Sequence, residues 1–141
     1  MLNNELTGQI IISKKVYFNH DDRYHTAEWL LNEVEVLALP SVAVVSVIIK
    51  LFANYTYQEL CELIVKDPKG NTCTSQLIEM KNSRQPPRIP GIEISYNLKW
   101  VVMHAGNYFV QLFEKSTSHL LAEYPLYIYV KKNEQLELNN V

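Results

Sequence analysis

Aromatic and β-branched residues alternate with polar residues most clearly near the end of the chain, over residues 107–130. The first part of this stretch, 107–114, has one fully apolar side and one mixed side, which is typical of a strand that buries a single face. A polar segment, 115–119, separates it from a second β-type run rich in tyrosine. We therefore predict a β-hairpin, with Gly106 at a turn or bulge that leads the chain into the sheet.

Several earlier segments also have the periodicity of strands. Residues 33–38 and 92–102 alternate between apolar and polar positions, as half-buried strands do. Residues 42–52 form a nearly continuous β-branched run, which predicts a central strand buried on both faces. Two shorter runs, 8–13 and 16–18, are compatible with one bulged strand or with two separate strands.

The stretch 56–66 fits two structures. Thr56 and Glu59 have the spacing of a helix capping box, and the apolar positions also suit one face of a helix. The same residues alternate as a strand does, and they lead into a tight turn at 67–70 with a partner strand available at 72–78. The neighbouring turn and partner favour the strand.

Three segments interrupt this pattern. Residues 19–25 are polar and are predicted to form a loop. Residues 26–31 are predicted to form a single helical turn capped by Thr26. Residues 81–91 contain three prolines and a glycine, so they are expected to form a long loop.

About seven to nine short strands at roughly ten-residue spacing predict an all-β fold. The expected architecture is an antiparallel two-sheet β-sandwich, immunoglobulin-like or C2-like, with at most one short helix. The domain is expected to span residues 1–130. A polar tail, 131–141, would follow, in which Leu136 and Leu138 could add an edge strand or contact a partner.

Short motifs at strand ends carry a resemblance to a known family. They are Leu39-Pro40, Asp67-Pro68-Lys69-Gly70, Gly106-Asn107-Tyr108 and Pro125-Leu126-Tyr127-Ile128. With these motifs, residues 30–130 resemble a family of small bacterial β-sandwich proteins of unknown function. The resemblance implies the sandwich fold and carries no catalytic residues.

The net charge and the apolar content of the chain argue against several classes of function. The net charge of −2 provides no basic stripe for nucleic acid or for an anionic membrane. The longest apolar run contains Ser46 and Lys50 and is too short to span a bilayer, and no signal peptide is expected. We expect a soluble, cytoplasmic protein without a cofactor, in which Cys61 is a small buried hydrophobic residue. The asparagine- and lysine-rich usage suggests an AT-rich bacterium or its phage.

The densest ionisable cluster is a candidate metal site. It consists of His20, Asp21, Asp22 and His25. Imidazole and carboxylate groups suit zinc or manganese, and His104 or His119 could complete the set in the fold. A solvated loop explains the same residues without a metal.

A basic segment within the loop 81–91 is a candidate binding site for a protein or an anion. It contains Lys81, Arg84, Pro87 and Arg88, with no acidic residue among them. Arg84, Pro87 and Pro90 have the R-x-x-P-x-x-P spacing of polyproline ligands, although a proline-stiffened loop explains that spacing equally.

Exposed aromatic residues are the remaining candidates. Phe109 and Phe113 lie on the mixed side of their predicted strand. The nine tyrosines could fill the core, form an interface, or line a carbohydrate site as a concave aromatic groove.

The sequence therefore favours a non-enzymatic β-sandwich module that binds another protein or itself as a homodimer, as an accessory component of a bacterial or phage system. The predicted contact surfaces are the face around Phe109 and Phe113, the loop 81–91 and the sheet edges. The alternative is a metal-dependent enzyme that uses the His20–His25 cluster.

Overall fold

The computed structural model describes residues 6–132, and these residues form nine strands in two sheets. The described part of the chain contains no helix, and so no helix that could cross a membrane. The strands are β1 (Thr7–Asn19), β2 (Tyr24–Leu30), β3 (Glu33–Val36), β4 (Ser41–Phe52), β5 (Gln58–Lys66), β6 (Thr72–Lys81), β7 (Ile92–Val102), β8 (Gly106–Glu114) and β9 (His119–Val130).

The four-stranded sheet has the order β2-β1-β4-β7, with every neighbouring pair antiparallel. The predicted central strand is β4, which pairs with β7 along almost its whole length, from Ser41 to Leu51. Its pairing with β1 is shorter and ends where Ser13 lies opposite Ser46. Beyond that point β1 pairs with β2 alone.

The five-stranded sheet has the order β3-β9-β8-β5-β6. The predicted hairpin is β8–β9, and the stretch 56–66 that also suited a helix contains the strand β5. One pair departs from the antiparallel prediction, because β3 runs parallel to the end of β9. A parallel pair requires a long connection, and β3 and β9 are separated by most of the chain.

The core lies between the sheets and follows the alternation of the strands. In β8 the inward residues Tyr108, Val110 and Leu112 are fully buried. The Tyr108 hydroxyl donates a hydrogen bond of 2.6 Å to the His104 carbonyl, so its one polar group is satisfied. Cys61 is also fully buried, as predicted. Facing residues from the other sheet include Ile12, Val45, Val47, Ile49 and Leu98.

The all-β sandwich prediction is confirmed, whereas one local prediction is wrong. Residues 26–31 do not form a helical turn, because β2 covers most of them and pairs with β1. Trp29 interrupts that strand with a positive φ of 57°. The predicted loop 19–25 is shorter than expected, since Asn19 ends β1 and β2 begins at Tyr24. The two runs before the loop form the single strand β1. The predicted tail lies outside the described residues from 133 onwards.

The β1–β2 hairpin folds over the outer face of its own sheet. His25, near the hairpin end, contacts Glu93 of β7. Because β4 lies between β1 and β7 in the sheet, this contact requires the hairpin to cross the outer face of β4. Ser46 and Ile48 point outward from β4 and are nevertheless buried, as this cover explains.

Candidate interaction surface

The predicted metal cluster lies at the end of the β1–β2 hairpin. The side-chain Oδ1 of Asn19 accepts hydrogen bonds from the backbone N–H groups of Asp21 and Asp22, both at 3.0 Å. Such hydrogen bonds from an asparagine side chain to nearby backbone groups stabilise a local turn, which explains the cluster without a metal. The two histidine rings both pack against Phe18, each with its centroid 4.9 Å from that of the phenyl ring.

These side chains do not assemble into a metal site. The Nδ1 atom of His25 lies 3.4 Å from Oε1 of Glu93, and Nζ of Lys50 lies 3.7 Å from the same oxygen. Across residues 6–132 no group of three His, Cys, Asp or Glu side chains is arranged to hold a metal ion. In the structure His25 therefore contacts Glu93 of β7, a carboxylate with which the sequence did not group it.

The basic loop 81–91 is anchored by Asn82. Its buried side-chain amide donates to the carbonyl oxygens of Tyr55 and Arg84, at 3.2 and 3.4 Å, and accepts from the N–H groups of Arg84 and Gly91. The Arg84 guanidinium donates to the Ile89 carbonyl at 3.3 Å. Arg84 is thus partly engaged within the loop.

The other predicted residues of this loop differ in exposure. Lys81 is the last residue of β6, so the loop begins one residue later than predicted. Lys81, Pro87 and Arg88 are exposed, and Pro90 is buried. An exposed pair of basic side chains remains for a partner. The R-x-x-P-x-x-P segment, in contrast, is not fully available to a partner, because its last proline, Pro90, is buried.

Phe109 and Phe113 lie on the outer face of the five-stranded sheet. They are cross-strand neighbours of Lys66 and Glu62 on β5, and Phe109 is 36% exposed. Gln111 lies between them and donates a hydrogen bond of 2.8 Å to Glu123. This face therefore mixes apolar and charged groups, as its sequence pattern predicted.

The tyrosines divide between core and surface. Tyr108 lies in the core, whereas the rings of Tyr127 and Tyr129 stack on the outer face with centroids 6.0 Å apart. They share an open groove of about 560 Å³ with Glu33 and Glu35 of β3. Partial desolvation, followed by the charges of Glu35 and Glu33, raises the pKa of Tyr129.

An open sheet edge is the feature that the sequence did not reveal. Residues 41–45 of β4 pair with β7 on one side, and no strand of residues 6–132 pairs with them on the other side. This gap begins where β1 leaves the sheet after Ser13. Within residues 6–132 a central strand thus becomes an edge strand over part of its length, and such an edge presents backbone N–H and C=O groups to which a further strand can pair.

The outward side chains of this edge are apolar and uncovered. Val44 is 62% exposed and Val42 is 49% exposed, whereas Ser46, the next outward residue, is only 7% exposed. Val101 lies directly opposite Val42 on β7 and is 54% exposed. We call residues 41–45 together with Val101 the β4 edge surface.

The prediction that 42–52 is buried on both faces is therefore correct for only part of the strand. Val45 to Ile49 are buried without interruption, but Val42 and Val44 are not. One sequence signal was available for this surface: no charged residue occurs between Glu35 and Lys50. Sheet edges usually carry charges that prevent pairing, so an uncharged edge is unusual.

Comparison with known proteins adds a likeness of fold. No family model and no curated protein matches the sequence. Among solved structures, a CARDB domain from Pyrococcus furiosus, described in complex with di-metal ions, is similar over 89% of this chain and 88% of that chain. The two are 15% identical, with a TM-score of 0.48. The strand pairings of this chain place it in the class of β-sandwich modules. Its resemblance to a bacterial family stays a prediction.

Proposed function

We propose that the protein is a non-enzymatic interaction module and that the β4 edge surface is its main contact site. The observation that carries the proposal is the coincidence of an unpaired strand edge with exposed valines at the same residues. Each feature alone is common on protein surfaces. Together they offer a partner both backbone hydrogen bonds and an apolar face.

Strand addition is the mode of binding that this surface suits. In this mode an extended segment of the partner lies along the edge, main-chain hydrogen bonds supply affinity, and alternate side chains supply specificity. Val42 and Val44 would each be covered on the side that faces the added strand, while their outward tips would stay in solvent. Covering this side of each valine is worth up to about 1 kcal/mol, from the usual scale for apolar surface.

The surfaces predicted from sequence support less specific contacts. The face around Phe109 and Phe113 is interrupted by Lys66, Glu62 and Gln111. The basic loop offers Lys81 and Arg88, with Arg84 turned partly inward. Both remain candidate contact regions, and an accessory role in a bacterial or phage system remains the proposed setting.

Native mass spectrometry of the untagged protein tests this function. We expect a metal-free dimer whose fraction increases with concentration, and a monomer for the variant Val44→Lys. The matched control is Leu77→Lys, which adds the same charge at an exposed aliphatic residue of the five-stranded sheet, 55% exposed. It should leave the dimer unchanged.

Two results would contradict the proposal. Val44→Lys could leave the dimer intact while Phe109→Lys disrupts it, which would move the contact to the five-stranded sheet. A stoichiometric divalent ion that disappears when His20 and His25 are both replaced by alanine would favour the metal-dependent enzyme instead.

A further inference from the structure

We infer that the partner at the β4 edge surface is a second copy of this chain, paired antiparallel through β4 around a two-fold axis at Ala43. This inference rests on the proposed function and adds the identity of the partner and the register. The pairing would join the two four-stranded sheets into one continuous sheet. Closed two-fold contacts of this kind are the commonest form of self-association.

The length of the free edge fixes the register. The unpaired stretch begins after Pro40, which has no N–H group to donate, and it ends at Ser46, where β1 occupies the edge. Overlapping this stretch fully with its own copy places Ser41 opposite Val45 and Val42 opposite Val44. Ala43 then lies opposite itself, on the axis.

The direction of the side chains agrees with that register. Val42 and Val44 both point outward, so each becomes the cross-strand neighbour of the other across the axis. Ala43 and Val45 point into the core and are buried in each copy. Residues of one face therefore meet residues of the same face, as a continuous sheet requires.

Charge distinguishes this edge from the others in the molecule. The strand β3 could also pair with its own copy around a two-fold axis. Its outer face would then place Glu33 opposite Glu35, or Glu35 opposite the same residue of the second copy. Like charges directly opposite each other are destabilising. The remaining edge strands carry charges that discourage pairing; these include Glu28 on β2, Glu79 and Lys81 on β6, and Glu93 and Lys99 on β7. Residues 41–45 carry none, so self-pairing brings no like charges together.

Cysteine cross-linking tests the register. In the inferred dimer, position 42 lies opposite position 44 of the second copy, within the range that a disulfide can bridge. Position 42 is offset from position 42 of the second copy by two residues along the strand, which is too far. We therefore expect Val42→Cys chains mixed with Val44→Cys chains to form a cross-linked dimer, and either variant alone to form far less.

Mass spectrometry of the cross-linked peptides separates this disulfide from any that involve the native Cys61 or Cys73. Hydrogen exchange provides an independent test. Those amides of residues 41–45 that point away from β7 should exchange more slowly in the dimer than after dilution to the monomer. A dimer that forms without the 42–44 cross-link, or without protection of these amides, would overturn the register and leave the proposed function standing. Absence of any dimer would overturn the inference that the partner is a second copy, and the proposed function would then require a different protein at the β4 edge surface.

Discussion

The hydroxyl of Tyr57 donates a hydrogen bond of 2.6 Å to Oε2 of Glu114, joining the segment before β5 to the end of β8. The Sγ atom of Cys61 lies 3.8 Å from the same hydroxyl. Burial, and then the hydrogen bond to the Glu114 carboxylate, raises the pKa of Tyr57 well above its usual range. The folded protein therefore keeps the phenol neutral at pH values at which an ordinary tyrosine ionises.

This shift predicts a loss of stability in alkaline solution. The unfolded chain releases the Tyr57 proton near its ordinary pKa of about 10, whereas the folded chain retains it. The contribution of Tyr57 is therefore complete below about pH 10 and is lost progressively as the pH rises beyond it. Tyr57→Phe should cost about 1 kcal/mol at pH 7 and should make the alkaline decline of the unfolding free energy shallower.

Urea unfolding between pH 7 and pH 11 measures both effects. Tyr127→Phe is the matched control, because Tyr127 is exposed and its hydroxyl makes no hydrogen bond within residues 6–132. Equal pH profiles for the two variants would show that Tyr57 does not carry the shift.

Asn82 is predicted to be the main anchor of the basic loop. Its side chain makes four hydrogen bonds to backbone groups of the loop and of Tyr55, and the tyrosine hydroxyl in turn donates to the Arg88 carbonyl. Asn82→Ala leaves buried backbone groups without partners, and we expect it to reduce the free energy of unfolding by about 2–4 kcal/mol. Chemical denaturation measures the change. The exposed Asn107→Ala should have an effect within about 0.5 kcal/mol, and similar losses for both variants would refute the anchoring role.

The contact between His25 and Glu93 is predicted to hold the β1–β2 hairpin against its sheet. The His25 side chain is only 8% exposed and packs on Phe18, so His25→Ala removes buried contacts as well as the polar one. We expect faster hydrogen exchange in β2 and little change in β5. Asp22→Ala is the control on the same hairpin, because Asp22 is exposed. If both variants leave exchange in β2 unchanged, other contacts hold the hairpin.

The parts of the fold that the sequence predicted are those that local pattern determines. The β8–β9 hairpin follows from the alternation around Tyr108 and Val110 and from the polar turn that separates the strands. The strand β5 follows from the turn beginning at Asp67 and from the alternation next to it. In each case the decisive residues lie within about ten positions of one another.

The features that the sequence did not predict depend on distant contacts. Whether Val44 is covered is decided by the place where β1 leaves β4, and that is a pairing between Ser13 and Ser46. The strand β2 depends on its pairing with β1, which overrides the weak helical signal around Thr26. His25 was grouped with aspartates because they are neighbours in sequence, although its partner in the fold is Glu93.

Replacing Gly106 should reduce stability for two reasons: strain in the backbone and crowding against Pro68. Its φ is +136°, and a Cβ atom there would lie 2.9 Å from Cγ of Pro68. Gly70 also has a positive φ, +83°, but a Cβ atom there would meet nothing within 4 Å. Gly70→Ala should therefore cost about 1–2 kcal/mol from backbone strain alone.

Gly106→Ala should cost about 1–3 kcal/mol more than Gly70→Ala, because its φ is further from the left-handed region that other residues tolerate and because the rigid proline ring must also shift. A double-mutant cycle with Pro68→Ala isolates this second component in urea unfolding experiments. If the crowding is real, Pro68→Ala recovers part of the loss in the Gly106→Ala background and recovers nothing in the Gly70→Ala background. Additive effects in both backgrounds would mean that the start of β8 moves away from the Asp67–Gly70 turn without cost, and that the glycine is needed for its backbone conformation alone.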